Sequence, residues 1–167
     1  HCNISNNHKI FYYTTTGWMM WNWLIGGLSS GACLYLYDGS PTYPLKDNLI
    51  KLCSQEKINL FGVSAKYIDF LKKENFNFKN LNFSNLKIIT STGSPLVKES
   101  FDYVYNNIKK DVHLASISGG TDVVGCLVLG NVFSNVYSGE IQGESLGIDV
   151  DIFNDKGKKI SANEKGE

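Results

Sequence analysis

Between residues 32 and 117, short apolar runs alternate with amphipathic stripes, and that order leaves few folds open to the chain. Ala32-Cys33-Leu34-Tyr35-Leu36-Tyr37, Leu60-Phe61-Gly62-Val63, the run 86–91 and the run 112–117 each read as a buried strand. Between the first two, Leu45, Leu49, Leu52 and Cys53 recur at helical spacing and predict a helix over about 45–56. A second helix follows Ser64, with Tyr67, Ile68 and Leu71 inward and Lys66, Asp69, Lys72 and Lys73 outward. A third runs from Pro95 to about Lys110, carrying the stripe Val97, Phe101, Val104, Tyr105 and Ile108. Such a β-α-β-α-β-α-β order implies an α/β fold: a mainly parallel sheet, joined by right-handed crossovers, with helices on both faces. The Asn- and Phe-rich stretch 75–85 reads as a loop.

The pattern changes after Gly120. Cys126 to Leu129 and Val136 to Ile141 look like strands with no helix between them. Gly147 to Phe153 alternates apolar and polar, then turns at Asn154-Asp155-Lys156-Gly157 into Lys159-Ile160, a hairpin with one wet face. The chain therefore divides into an α/β part over 1–124 and a small β-rich segment over 125–167.

Ile10 to Tyr37 carries no charged residue, long enough to raise a transmembrane helix. Gly26-Gly27-Leu28-Ser29-Ser30-Gly31 breaks the run and Asn22 interrupts it, so a buried helix followed by a buried strand accounts for it better. No signal peptide is visible. Sixteen basic residues, all Lys, balance sixteen acidic ones, which favours neither nucleic acid nor an anionic membrane as partner. Without Arg, no guanidinium fork is available for a phosphate. Cys2, Cys33, Cys53 and Cys126 show no paired spacing; Cys33 and Cys53 fall on apolar faces and are expected as buried free thiols in a reducing cytoplasm. His1, His8 and His113 have no ligand spacing for zinc. The chain starts at His1 and stops just after Lys165-Gly166, and reads as a window from a longer protein.

Two polar loops carry the chemistry. Ser91-Thr92-Gly93-Ser94-Pro95 and Ser116-Ile117-Ser118-Gly119-Gly120-Thr121-Asp122 each follow a strand, where open α/β sheets bind ligands. In the first, Ser94 fits an N-cap and Pro95 the first helical position, which would turn free N–H groups toward the crevice. A well-capped turn with no ligand explains the same residues. In the second, glycines admit close approach by a flat ring or phosphate, Thr121 offers a hydroxyl, and Asp122 offers a hard oxygen for Mg²⁺. A glycine turn capped by an Asp remains the plain alternative. Thr14-Thr15-Thr16-Gly17-Trp18-Met19-Met20-Trp21-Asn22-Trp23 is either an aromatic core helix or the adaptable wall of a small pocket.

The run from Tyr13 to Asn22, Tyr37-Asp38-Gly39-Ser40-Pro41, Gly62 to Tyr67, Ser91 to Leu96 and Val112 to Asp122 together resemble the acetoacetyl-CoA synthetases, within the adenylate-forming acyl-CoA synthetase superfamily. The resemblance implies a ligase that joins ATP and acetoacetate into an acyl-adenylate with release of pyrophosphate, then transfers the acyl group to CoA with release of AMP. It implies that Gly93, Ser94 and Pro95 lie along one side of the adenine and Ser116, Ile117, Ser118, Gly119, Gly120 and Thr121 along the other. Thr121 would meet the α-phosphate and Asp122 the Mg²⁺, with one methylene less reach than the family's Glu. Trp18, Met19, Met20 and Thr92 match acyl-pocket positions. Gly119 stands where acetyl-CoA synthetases close the pocket with a Trp, which would leave room for a longer acid. The family's phosphate loop, ribose-binding Asp and C-terminal Lys are expected outside this window, so the window alone is not expected to turn over. Another short-chain acyl-CoA synthetase, or a nucleotide-binding module without catalysis, would share these motifs. Partners beyond small molecules, and the oligomeric state, are not indicated.

Overall fold

The computed structural model describes residues 2–162 and 164–166. Its main sheet holds β1 (Lys9–Tyr12), β2 (Cys33–Tyr35), β3 (Leu60–Ser64), β4 (Ile88–Thr92) and β5 (His113–Ser116), all parallel, in the order β2-β1-β3-β4-β5. Helices α1 (Met19–Gly26), α2 (Asn48–Gln55), α3 (Ala65–Lys73) and α4 (Lys98–Asn107) make the crossovers, and a 3₁₀ segment, Gly27–Ser30, extends α1.

Strand alternation sends successive side chains to opposite faces, and the two faces build separate cores. Phe11, Phe61, Val63, Ile89 and Leu114 pack with α2, α3 and α4 on one side. Ile10, Tyr12, Leu60, Ile88 and Ala115 pack with Met19, Met20 and Leu24 of α1 on the other. Helices thus cover both faces, as the alternating pattern requires. The one backward crossover, β1 to β2, places α1 opposite the three helices of the forward crossovers, as uniform right-handedness demands.

The uncharged run 10–37 is accounted for by β1, α1, the 3₁₀ segment and β2, and among the described residues no helix is long and apolar enough to cross a membrane. β1 was not expected. Its apolar residues run straight into Tyr13-Thr14-Thr15 with no turn signal, yet it lies inside the sheet between β2 and β3. Cys53 is buried as expected, but Cys33 is exposed. The reason is positional: β2 is an edge strand, and there Leu34 and Tyr35 are themselves only half-buried.

Ser64 caps α3, its hydroxyl accepting the Tyr67 N–H at 3.2 Å. Ser94 does not cap α4. That helix begins at Lys98 after an extended Val97, because Leu96 is drawn into the core first. Val97 is consequently exposed, while Phe101, Val104 and Ile108 are buried along the expected stripe. The loop 75–85 is anchored by the buried rings of Phe78 and Phe83.

A second sheet follows. β6 (Ser118–Gly120), β7 (Gly125–Leu129) and β8 (Gly143–Glu144) are antiparallel, with an irregular register between Ser118 and Gly119. Val136 to Ile141 is not a strand: a turn returns Glu140 N–H to the Tyr137 carbonyl at 3.1 Å, and Gly139 takes φ +90°. The 154–157 turn forms as expected, but pairing beside it is confined to a single bridge between Phe153 and Lys159.

Candidate active site

β4 and β5 are neighbours, and their register pairs Ser91 with Ser116, so both polar loops leave the sheet at the same level. The loops are also tied directly. The Ile117 N–H donates to the Ser91 carbonyl at 2.8 Å, and the Thr92 hydroxyl donates to the Ile117 carbonyl at 3.0 Å. A cavity of about 620 Å³ opens between them. It is lined by Thr92, Gly93, Ser94 and Pro95 on one side and by Ser116, Ile117, Ser118, Gly119, Gly120 and Thr121 on the other.

α1 closes a third side with Trp18, Met19 and Met20. Met19 and Met20 are buried in the core beneath α1, whereas Trp18 precedes the helix in extended conformation and is 66% exposed. Trp18, Met20, Thr92 and Gly93 also border a second cavity of about 760 Å³, which spreads along the carboxyl ends of β1, β2 and β3. Within the Trp- and Met-rich run, Met19 and Met20 are buried yet reach the first cavity, and Trp18 borders both cavities.

Asp122 stands apart. It is exposed in the Thr121–Val124 turn that joins β6 to β7, and it does not line the cavity. None of the cavity-lining residues is charged. Among the described residues no three His, Cys, Asp or Glu side chains converge as a metal site. A divalent ion at Asp122 would complete its shell with phosphate oxygens and water, the usual habit of Mg²⁺.

The glycines differ in what they allow. At Gly93 and Gly120 the space where a Cβ would stand is open for 4 Å, so both backbones present bare surface. At Gly119 a Cβ would run into the Gly125 carbonyl oxygen and come within 2.6 Å of the Cys126 Cα. A side chain at 119 would thus leave the backbone toward β7, not toward the cavity. Behind it, burial pushes the Cys126 thiol up to about 11, keeping it protonated and inert.

Leu96, Gly139 and Ile141 also line the cavity, and sequence reasoning missed them. The apolar alternation of 136–141 imitates a strand, and nothing local reveals that this segment folds back over the start of α4. A further cavity of about 680 Å³ lies on the α1 face between Trp23, Ile88, His113 and Cys126, and shares Ile117 with the first.

Comparison with known proteins gives the geometry its family. No family model matches the chain. An acetoacetyl-coenzyme A synthetase of Rhizobium meliloti is 52% identical over 168 residues, covering 100% of this chain and 26% of the relative. The chain belongs to the acetoacetyl-CoA synthetase family. The acetoacetyl-CoA synthetase of Gallus gallus is 47% identical over 161 residues, 96% of this chain and 24% of its own length. The chain therefore spans about a quarter of the curated relatives it matches. Among solved structures, an acetoacetyl-CoA synthetase from Streptomyces lividans superimposes with a TM-score of 0.89 at 34% identity, over 96% of this chain and 26% of that one. An anthranilate CoA ligase solved with anthranoyl-AMP gives 0.82 at 18% identity over 98% of this chain and 31% of its own, a likeness of fold. The parallel sheet with its small antiparallel companion is the adenylate-forming arrangement.

Proposed function

We propose that this chain, within a longer protein, supplies the adenine- and acyl-binding walls of an ATP-dependent acetoacetate–CoA ligase. One observation carries the reading: a single cavity is lined by both strand-tip loops and by Trp18, Met19 and Met20. In this assignment the adenine lies between Gly93–Pro95 and Ser116–Ser118, where Gly93 leaves the backbone bare for a flat ring. The Thr121 hydroxyl donates to an α-phosphate oxygen. Acetoacetate lies against Trp18, Met19, Met20 and Thr92.

The chemistry suits such a cavity. A carboxylate oxygen attacks the α-phosphorus and pyrophosphate leaves; the CoA thiol then attacks the acyl carbon and AMP leaves. Both steps depend on positioning and on dispersing phosphate charge more than on a covalent protein nucleophile. Mg²⁺, held through Asp122 and phosphate oxygens, would supply charge neutralisation. The exposure of Asp122 favours contact through a water. The cytoplasm is the compartment we propose, on the strength of four free thiols.

The test is acetoacetate-dependent ATP–pyrophosphate exchange by the full-length protein. Asp122→Asn is expected to raise the Mg²⁺ requirement on the order of 10- to 100-fold, the usual cost of losing an outer metal partner. Unaltered metal dependence removes Asp122 from the site. AMP binding with no exchange for any short-chain acid would leave a nucleotide-binding module in place of a ligase.

A further inference from the structure

Gln142 follows the cavity-lining Ile141 and is held at both ends of its amide. Its Oε1 accepts from His113 Nε2 at 2.6 Å and from the Asn131 N–H at 3.2 Å. Its Nε2 donates to the Asn131 carbonyl at 3.1 Å and the Ser134 carbonyl at 2.9 Å. An amide that meets a backbone N–H with one atom and two carbonyls with the other has a single consistent orientation. It follows that His113 Nε2 carries a proton and donates it, while Nδ1 is bare, buried and without a hydrogen-bond partner.

The sequence makes room for this link. A Cβ at Gly130 would stand 2.6 Å from the Ala115 Cβ, 2.9 Å from Gln142 Oε1 and 3.0 Å from His113 Nε2. Only glycine lets the chain leaving β7 cross β5 closely enough for glutamine and histidine to meet. His113 begins β5, whose other end is Ser116 on the cavity wall. The link therefore joins the strand that carries one wall to the segment that carries another. That second wall belongs to the β4–α4 side: a Cβ at Gly139 would lie 3.8 Å from the Lys98 Cβ and 4.0 Å from its nitrogen, at the first residue of α4.

We infer that Gln142 is a positioning residue which, through His113, holds Gly139 and Ile141 in place as a wall of the nucleotide side of the cavity. The inference rests on the nucleotide reading given above and adds to it. With both ends of the Gln142 amide bonded, this part-buried link has one good arrangement, so breaking it frees the wall to wander and leaves the groups it met unpaired.

The experiment uses the full-length protein with AMP as calorimetric probe, alongside KM for ATP and for acetoacetate and a thermal melt. Gln142→Leu is expected to weaken AMP binding and raise the ATP KM about tenfold, with the acetoacetate KM changed less than about twofold. His113→Leu, which spares the loop's own ties to Gln142, is expected to do the same. The double variant should be no worse than Gln142→Leu alone, since that change already removes the link to His113. His113→Gln, which sets an amide donor where Nε2 stands, is expected to bind AMP like the wild type. Equal losses for both substrates, or a lower melting temperature with AMP affinity intact, would overturn the positioning role and leave the nucleotide reading standing. A wild-type protein that binds no AMP would overturn both.

Discussion

At Gly119 the backbone lines the cavity, while the absent side chain matters on the β7 side and does not itself widen the pocket. Facing β7 it permits an approach that no Cβ could survive, because the Gly125 carbonyl and the Cys126 Cα stand where that atom would go. The second role follows from pairing between β6 and β7, which the sequence of either strand alone does not announce. Gly119→Ala is expected to destabilise the protein by about 1–3 kcal/mol, the cost of overpacking a fitted contact, as read by denaturant unfolding. A variant as stable as the wild type would show that the pair relaxes freely. For the same reason Gly119→Trp, expected from the family resemblance to shrink the acyl pocket, would instead drive its indole toward β7 and lose stability. Unchanged relative kcat/KM for acetate and acetoacetate would leave Gly119 with its role in strand pairing alone.

At the level of elements, periodicity was a reliable guide where one face meets the core, and a poor one where ends are set from elsewhere. α3 and the stripe of α4 lie where their apolar spacing puts them, whereas α2 begins only at Asn48 and leaves Leu45, expected on its apolar face, exposed before it. The start of α4 departs from its expected place too, because burial of Leu96 outweighs the capping preference of Ser94. α3 and α4 are further joined by a polar cluster. Asp69 Oδ1 meets Lys72 Nζ at 2.9 Å and accepts from the Ser100 hydroxyl at 2.8 Å, and Lys72 Nζ also donates to that hydroxyl at 3.0 Å. The Lys72 ammonium, followed by the Ser100 hydroxyl, holds the Asp69 carboxyl below its ordinary 3.8. Because the folded value is the lower one, the cluster stabilises the fold above 3.8, and that contribution is lost as pH falls below it toward the folded value. Melting temperatures of wild type and Asp69→Asn should therefore differ at neutral pH and converge in acid. A gap that persists unchanged into strong acid would show that the carboxylate's charge contributes nothing.

At the scale of the whole molecule, the decisive fact is that β4 and β5 are adjacent and in register, so two loops far apart in sequence share one cavity. AMP binding to the full-length protein should then slow amide exchange in 93–97 and 116–121 together, while α2 and α3 keep their rates. Protection of one loop without the other would separate them and end the shared-site reading. The order of strands and helices from β2 to β5, the helices on both faces of the sheet and the polar composition of both loops were determined by sequence, because alternation, helical spacing and glycine content are local properties. Tertiary structure alone decided the insertion of β1 inside the sheet, the exposure of Cys33, and the return of 139–141 onto α4 through Gln142 and His113. Each of these depends on which distant segment arrives as neighbour, and a neighbour leaves no periodicity in the chain that receives it.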